Sequence, residues 1–181
     1  MSNKKIYLIV ATDKNNGIGK DGKLPWKLSK DMDFFMNTTM ETNEFDRQNM
    51  VIMGRKTWDS IPKKFRPLQN RVNAVISHDP DYPADGATVY TSLGAAIRKA
   101  ELTEKIESIF IIGGAKIYDM AIDIAHGIYK TEIEAEYDCD TFFPDHKSQY
   151  VLQDKLGGED EKGVHFKFNF YDRSLALSED Y

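Results

Sequence analysis

Short apolar runs, each followed by a segment with helical character, constrain the fold of this chain more than any other sequence feature. The runs occupy residues 6–11, 49–53, 72–76, 109–112 and 128–133, and a shorter one lies at 88–90. Continuous apolar runs of this length are typical of strands that are covered on both faces. The segments between them favour helices at 29–40, 55–61, 93–102 and 115–124. Strands that alternate with helices predict an α/β fold, with a mostly parallel central sheet of about eight strands and helices on both faces.

Residue types near the helix ends refine this prediction. Ser29 and Ser92 are expected to cap the first and third helices, because a serine hydroxyl can accept a bond from the free amides at a helix start. In the first helix, near-helical spacing predicts one apolar face made of Leu28, Met32, Phe35, Met36 and Met40.

The C-terminal region breaks the alternation of strands and helices. Phe166, Phe168 and Phe170 recur with period two, which is typical of a strand with one wet face. A loop at 157–163 is expected to pair this strand with residues 150–153 as an antiparallel hairpin at the sheet edge. No linker or internal repeat is visible, so we expect a single domain over residues 1–181.

Composition argues against several classes of function. The net charge of −5 disfavours nucleic acid as a partner. No apolar run approaches the roughly 20 residues that cross a bilayer, and the first residues lack the length of a signal peptide. The four histidines lie far apart, and Cys139 is the only cysteine, so neither a metal site nor a disulfide is expected. We expect a cytoplasmic monomer without membrane partners.

A loop at 12–26 follows the first strand, and residues 17–22 match the pattern G-x-G-x-x-G of a dinucleotide-binding turn. In that turn a helix begins at once, and an acidic residue follows about 20 residues later. Here residues 23–28 intervene, and the second strand ends at Met53 and Gly54 without an acid. We therefore interpret 12–26 as a mobile loop that closes over a site. A plain surface loop is the alternative.

Two further junctions between a strand and a helix carry glycine. Residues 54–57, Gly-Arg-Lys-Thr, place two cations beside the free amides of a helix start, which favours an anion such as the 2′-phosphate of NADP. A pair of solvated cations is the alternative. Residues 112–116, Ile-Gly-Gly-Ala-Lys, let the backbone come close to a pyrophosphate. A tight packing turn is a compatible alternative.

Asp31 and Arg71 are candidates for binding a polar ligand. Asp31 precedes Phe34 and Phe35 by one helical turn, and a carboxylate beside aromatic rings is poorly solvated unless it meets a cationic or amidine-like group. Its alternative role is interaction with the helix dipole. Arg71 suits bidentate binding of a carboxylate, whereas an isolated loop arginine would simply be solvated.

Motifs spread in order over nearly the whole chain resemble dihydrofolate reductase. Single motifs are weak, but their joint occurrence is specific. They comprise Gly17-Ile18-Gly19, Leu24-Pro25-Trp26, Asp31, residues 51–58 (Val-Ile-Met-Gly-Arg-Lys-Thr-Trp), Ile61-Pro62, Arg66-Pro67-Leu68, Arg71, Ile112-Gly113-Gly114, Tyr118, Thr131 and residues 140–144 (Asp-Thr-Phe-Phe-Pro).

The resemblance implies NADPH-dependent reduction of 7,8-dihydrofolate to 5,6,7,8-tetrahydrofolate, by hydride transfer to C6 of the pterin with protonation at N5. It also implies binding of antifolate-type inhibitors. Asp31 would hydrogen-bond N3 and the 2-amino group of the pterin, and Thr131 would orient Asp31. Trp26 and Leu24 would arrange a water molecule that donates the proton.

The resemblance also implies two sets of binding residues. The substrate set, in which Arg71 takes the glutamate α-carboxylate, is Ile9, Val10, Asp31, Met32, Phe35, Ile61, Leu68, Arg71, Ile112 and Tyr118. The NADPH set is Ala11, Ile18, Gly19, Gly54, Arg55, Lys56, Thr57, Ser77, His78, Ile112, Gly113, Gly114, Ala115, Lys116, Ile117 and Tyr118.

Two positions depart from the family pattern. His78 stands where some members carry an arginine for the 2′-phosphate, so Arg55 is expected to bear most of that selectivity. Phe65 occupies a variable position of the tail-binding loop and leaves the affinity for the glutamyl tail open. Two other interpretations remain: a different NADPH-dependent pteridine or pyrimidine reductase on the same fold, and a nucleotide-binding module without reductase activity.

Overall fold

The computed structural model describes residues 4–178, and ten strands lie within that range. They are β1 (Ile6–Thr12), β2 (Gly17–Gly19), β3 (Gln48–Gly54), β4 (Val72–Ile76), β5 (Thr88–Tyr90), β6 (Ile106–Ile111), β7 (Gly127–Ile133), β8 (Thr141–Phe142), β9 (Val151–Glu161) and β10 (Val164–Asp172). Eight of them form one sheet in the order β5-β4-β3-β6-β1-β7-β10-β9, in which only β10 runs against the others. The predicted mostly parallel sheet with an antiparallel C-terminal pair is confirmed.

The helices are α1 (Ser29–Met40), α2 (Arg55–Ser60), α3 (Leu93–Glu101), α4 (Ala115–Ala121) and α5 (Arg173–Ser178), with a 3-10 turn at Lys63–Phe65. Ser92 caps α3 as predicted, because its hydroxyl accepts a bond from the Ala95 amide at 3.1 Å. The fourth helix was predicted to reach Ile124 but ends at Ala121. Residues 1–3 and 179–181 of the predicted domain lie outside the described residues.

The sheet divides the core into two layers, because successive side chains of a strand point to opposite faces. One layer packs Leu8, Ile52 and Ile111 against α3 and α4. The other packs Ile9, Val51 and the partly buried residues of α1 and α2. The carboxyl ends of β1, β3 and β6, which are neighbours in the order β3-β6-β1, therefore open between these layers at one edge of the sheet.

The predicted apolar face of α1 is partly wrong. Leu28 is buried, but Met32 and Met36 are 55% and 43% exposed. Phe35 faces the core as predicted, but Phe34 and Thr39 join it, and Phe34 stacks on Phe168 of β10 with ring centroids 4.2 Å apart. Contact with β10, which the helical spacing alone does not encode, decides which stripe faces inward.

The predicted cap of α1 is also wrong. Leu28 occupies the N-cap position without a side-chain hydrogen bond, and Ser29 is the first helical residue. The free amides of Ser29 and Lys30 donate to the carboxylate of Glu161, which lies at the end of β9. A residue distant in sequence thus supplies what a local serine was expected to supply.

The predicted loop at 157–163 is mostly strand. β9 continues to Glu161 and pairs with β10 through two irregularities in register. The reversal is confined to Lys162 and Gly163, whose φ angles are 53° and 77°. Two successive residues with positive φ are typical of a tight hairpin turn, so the hairpin is longer and its turn is shorter than predicted.

The predicted loop at 12–26 contains β2, which pairs with β8 as a second, two-stranded sheet. The buried carboxylate of Asp13 accepts bonds from the amides of Asn15 at 2.9 Å, Gly17 at 2.8 Å and Tyr137 at 3.1 Å. Gly17 leaves no room for a side chain, since an added Cβ would lie 2.4 Å from the Cβ atom of Cys139. The first part of the loop is therefore a packed element, and its predicted mobility stays a prediction.

Candidate active site

The carboxyl ends of β3 and β6 are joined by backbone hydrogen bonds. The Ile112 amide donates to Ile52, and the Gly54 amide donates to Gly113, both at 2.9 Å. α2 begins directly after β3, and α4 begins after the Gly113–Gly114 pair. Two helix starts are thus fixed side by side at the edge where ligands bind in parallel α/β sheets.

Asp31 lies in the first turn of α1 and meets β7 across the cleft. The hydroxyl of Thr131 donates to Asp31 Oδ1 at 2.7 Å, although the two residues are 100 positions apart. Burial raises the pKa of the Asp31 carboxyl; the bond from Thr131 opposes this rise, and the negative charge of Glu161 adds to it. The site therefore holds a carboxyl group that is easier to protonate than an ordinary aspartate.

Apolar residues line the region beside Asp31. One cluster contains five members of the predicted substrate set, Ile9, Phe35, Ile61, Leu68 and Ile112. Two other members, Val10 and Tyr118, lie in the core layer on the opposite face of the sheet. Met32 is largely exposed on α1. The structure thus gathers five apolar residues of the predicted set in one cluster and places Val10 and Tyr118 in the other core layer, although the charge of Asp31 reaches the Tyr118 hydroxyl and helps to raise its pKa.

Trp26 and Leu24, both predicted to act near the proton, differ in environment. Trp26 is buried against Leu28, Ile133 and Phe168, with its ring edge-on to Tyr137 at 5.2 Å. Its indole nitrogen Nε1 is buried and has no hydrogen-bond partner among the described residues. Leu24 is 57% exposed. The indole N–H of Trp26 is therefore a fixed hydrogen-bond donor that is available to a ligand. The apolar side chain of Leu24 has no donor and can only shield the site from solvent.

Arg71 is held in place rather than simply solvated. Its Nε donates to the Gln69 carbonyl at 2.9 Å, and its Nη1 donates to Thr39 Oγ1 on α1 at 3.0 Å. Burial lowers the pKa of the guanidinium, which nevertheless stays charged at neutral pH. These bonds use Nε and Nη1, which leaves the Nη2 end of the planar group to donate to an anion.

The Gly113–Gly114 pair lets protein side chains pack closely against the backbone, as the alternative of a tight packing turn expects. Gly113 has φ of 120°, and an added Cβ would lie 3.3 Å from the ring of Tyr118. An added Cβ on Gly114 would lie 3.4 Å from Thr57 Oγ1. The Tyr118 hydroxyl donates to the Ile9 carbonyl at 2.7 Å, and burial raises its pKa. That hydroxyl is therefore used to join α4 to β1.

The remaining members of the predicted cofactor set surround these helix starts with different exposure. Arg55, Lys56, His78 and Lys116 are exposed, and the Arg55 guanidinium lies 5.7 Å from the Tyr82 ring centroid. Ser77 and Ile117 are buried, and Ser77 Oγ accepts a bond from the Asp79 amide at 3.1 Å. The partly buried members are Ala11, Ile18, Gly19, Gly54, Thr57 and Ala115.

The pattern analysis missed three residues that shape the site. Phe34 stacks on Phe168, Asp13 orders the 12–26 loop, and Glu161 binds the start of α1. A signal existed for Asp13, since an aspartate just after a strand often bonds to amides of the following turn. No local signal points to Glu161, because its partners lie more than a hundred residues away.

Within residues 4–178, no group of three or more histidine, cysteine, aspartate or glutamate side chains is arranged to hold a metal ion. No helix in that part of the chain is long and apolar enough to cross a membrane.

Comparison with known proteins assigns the family. A sequence model of the family described as dihydrofolate reductase matches residues 5–173. A dihydrofolate reductase from Heliothis virescens is 44% identical over 180 residues, covering 96% of this chain and 97% of that protein. One from Sus scrofa is 38% identical over 184 residues, covering 94% and 99%. The solved structure of Schistosoma mansoni dihydrofolate reductase matches with a TM-score of 0.83 at 38% identity, over 95% of this chain and all of that chain. The chain that carries the buried Asp31–Thr131 pair therefore belongs to the dihydrofolate reductase family.

Proposed function

We propose that this protein reduces 7,8-dihydrofolate to 5,6,7,8-tetrahydrofolate with NADPH as the hydride source. The observation that carries the proposal is the partly buried Asp31 carboxyl, which is bonded to Thr131 and lies on the same helix as Phe35 of the apolar cluster. An acidic group next to an apolar slot suits a flat heterocycle with an amidine-like edge. The membership of the family supports the same substrate.

Asp31 binds and orients the pterin in this proposal. Its carboxylate accepts hydrogen bonds from N3 and the 2-amino group, and the bond from Thr131 fixes which oxygen faces the ligand. The negative charge of that carboxylate favours the protonated form of the bound heterocycle. N5 lies beyond the direct reach of the carboxyl group, so a water molecule delivers the proton.

Trp26 and Leu24 control that water. The buried indole Nε1 has no partner among the described residues and can donate to a water or to the pterin. The exposed Leu24 side chain covers the site when the 12–26 loop closes and limits access of bulk solvent.

The rest of the substrate follows the apolar cluster toward Arg71. Phe35, Ile61 and Leu68 pack along the aminobenzoyl ring, with Met32 at the entrance. Arg71, fixed by Gln69 and Thr39, binds the glutamate α-carboxylate through its Nη2 end. The glutamyl tail beyond that carboxylate passes Phe65, which is 58% exposed.

The residues at the two helix starts fit NADPH. A pyrophosphate would lie against the Gly113–Gly114 backbone at the start of α4, and the exposed Arg55 and Lys56 would supply positive charge for a 2′-phosphate. When bound, the nicotinamide supplies the hydride to C6. Ala11, Ile18 and Gly19 would contact its ring, and Ser77 and His78 would lie at the adenosine end.

The decisive experiment measures NADPH oxidation by the purified protein with 7,8-dihydrofolate, and with a pyrimidine or another pteridine in its place. We expect turnover with dihydrofolate that Asp31→Asn lowers about 100-fold or more, as is typical when a proton-transfer group is removed. Arg55→Ala is expected to narrow the preference for NADPH over NADH. Turnover of only the other heterocycles would establish the rival reductase, and cofactor binding without turnover would establish a nucleotide-binding module.

A monomeric state, a cytoplasmic location and binding of antifolate-type inhibitors at the Asp31 pocket are parts of the same proposal. Size-exclusion chromatography with light scattering, cell fractionation and competition by a diaminopyrimidine test them separately.

A further inference from the structure

The hairpin formed by β9 and β10 ends against the start of α1. Glu161 Oε2 accepts a bond from the Ser29 amide at 2.7 Å, and Oε1 accepts from the Lys30 amide at 2.9 Å and from Ser29 Oγ at 3.1 Å. We call residues 159–163 the hairpin tip. Two further contacts join the tip to the same turn: Lys30 Nζ lies 3.1 Å from Glu159 Oε2, and Lys162 Nζ donates to the Lys27 carbonyl at 2.8 Å.

This contact supplies something that α1 lacks. The first amides of a helix have no partner inside the helix, and the N-cap residue Leu28 makes no side-chain hydrogen bond. A carboxylate that accepts from two of these amides at once satisfies them and interacts favourably with the positive end of the helix dipole. The bonds from Lys30 and Ser29 hold the pKa of Glu161 below its usual range, so its carboxylate is ionised at neutral pH.

We propose that Glu161 is a positioning residue of the active site: it caps α1 from the hairpin tip, holds the turn that presents Asp31 and sets the charge around that carboxyl group. The proposal rests on the proposed function only in treating Asp31 as the active-site acid. Asp31 follows Lys30 directly, so a small rotation of the first turn moves its carboxyl relative to Thr131 on the fixed strand β7.

The electrostatic effect has a definite sign. Free amides at a helix start stabilise a nearby anion. Glu161 accepts bonds from the amides of Ser29 and Lys30, which are then unavailable to Asp31, and it also places a second negative charge near that carboxyl group. The other elements around Asp31 contribute the following polar groups. Thr131 of β7 donates to Asp31 and lowers its pKa, Tyr118 of α4 is a buried neutral hydroxyl, and the ammonium of Lys30 is drawn to Glu159 and the Asp160 carbonyl. Among these, Glu161 is the group whose charge favours the protonated form of Asp31.

The test follows the titration of the Asp31 carboxyl carbon by NMR in the ligand-free protein, with Asp31→Asn used to assign the signal. In Glu161→Gln, we expect the midpoint of the Asp31 titration to move to lower pH. Glu159→Gln is the matched control, because it removes the same charge from the same hairpin tip at a position that contacts only the Lys30 ammonium. An unchanged midpoint in Glu161→Gln, or an equal shift in Glu159→Gln, would overturn the proposal.

Salt separates the charge effect from a change in helix position. At about 1 M salt the screening length falls to about 3 Å, so the difference between Glu161→Gln and the parent protein is expected to shrink. A difference that persists undiminished would overturn the electrostatic part. Glu161→Ala, which also removes the capping bonds, is expected to lower the melting temperature more than Glu161→Gln; equal melting temperatures would overturn the capping role.

The pH profile of turnover gives the functional readout. The part of the pH profile that is set by ionisation of Asp31 is expected to shift to lower pH in Glu161→Gln and to stay unchanged in Glu159→Gln. Because the NMR titration needs neither substrate nor NADPH, it can support or overturn the role of Glu161 even if the protein does not reduce dihydrofolate.

Discussion

The surroundings of Asp31 disfavour the ionised form of its carboxyl group. Its carboxyl group lies in the first turn of α1, where an anion would ordinarily be stabilised, yet burial and Glu161 both disfavour the charge. Only the hydroxyl of Thr131 opposes them directly. Such an arrangement is costly for folding and useful for chemistry, as is typical of titratable groups at functional sites.

Asp31→Asn is expected to raise the free energy of unfolding at neutral pH by about 0.5–2 kcal/mol, the usual size of a stabilising change. Below the ordinary pKa of 3.8, both the folded and the unfolded parent protein hold the Asp31 proton. As the pH rises, the unfolded state loses that proton first, so stability declines until the pH passes the higher folded pKa. The variant lacks this decline, while its amide oxygen still accepts the bond from Thr131.

Urea unfolding of both proteins from about pH 3 to neutral pH checks this. The gain in stability of the variant should grow as the pH rises above 3.8 and should level off once the pH passes the raised pKa of folded Asp31. A gain that does not grow anywhere above pH 3.8 would contradict the assigned burial effect.

Arg71→Leu is expected to raise the KM for dihydrofolate about 10- to 100-fold with little change in kcat, as follows from losing a charged hydrogen-bonded pair. The bonds from Arg71 to Gln69 and Thr39 show that the guanidinium is oriented before any ligand arrives. Thr39→Val removes one of these bonds and should raise KM by a smaller factor. Steady-state kinetics measure all three proteins, and an unaltered KM in Arg71→Leu would refute the carboxylate-binding role.

At the scale of elements, the 12–26 loop and the β9–β10 hairpin both depart from what their sequences suggest. Glycine and polar residues predict an irregular loop, yet Gly17 and Gly19 belong to a strand that pairs with β8. Charged and glycine residues predict a loop at 157–163, yet residues 157–161 pair along β10. In both cases the partner strand, not local propensity, decides the conformation.

Gly17→Ala is expected to destabilise the protein by about 1–3 kcal/mol, the usual cost of an overpacked site. Its added methyl group would lie 2.4 Å from the Cβ atom of Cys139, so β2 and β8 would have to separate. Gly19→Ala is the matched control in the same strand, since its nearest contact is a backbone oxygen at 3.4 Å. Chemical unfolding measures both variants.

The double variant Gly17→Ala with Cys139→Gly should recover part of the loss. Equal stability of Gly17→Ala and Gly19→Ala would contradict the packing of β2 on Cys139.

At the scale of the whole molecule, the sheet carries chemistry on one face and an unusual polar cluster on the other. Lys130 is 6% exposed and faces the rings of Phe143 and Tyr171 at about 6 Å, with Glu132 3.5 Å away. Burial lowers the pKa of Lys130, and Glu132 partly restores it. Glu132 also accepts bonds from Tyr171 and Asn169. The cluster lines a cavity of about 620 Å³ on the face opposite Asp31.

Replacing Lys130 and replacing Glu132 are expected to change the stability of the protein by different amounts. Lys130→Met should leave stability unchanged or raise it by about 1 kcal/mol, because a methionine fills the space between two rings and Glu132 keeps its other partners. Glu132→Ala should cost about 2–3 kcal/mol, because it leaves a buried cation without an acid. Thermal unfolding of the two variants measures the asymmetry, and equal losses would contradict it.

The sequence by itself determined the sheet and its surrounding helices, because burial on two faces leaves a continuous apolar run that is readable locally. Its motifs also led to Asp31, Thr131 and Arg71. In the structure Asp31 is bonded to Thr131, and Arg71 is bonded to Thr39. Only the tertiary structure decided which stripe of α1 faces inward, how far β9 extends and which residue caps the helix. The inward stripe and the cap arise from contacts across 100 or more residues, Phe34 to Phe168 and Ser29 to Glu161, whereas β9 extends by pairing with its neighbour β10. Local propensity cannot encode them, because their energy exists only once the strands have paired.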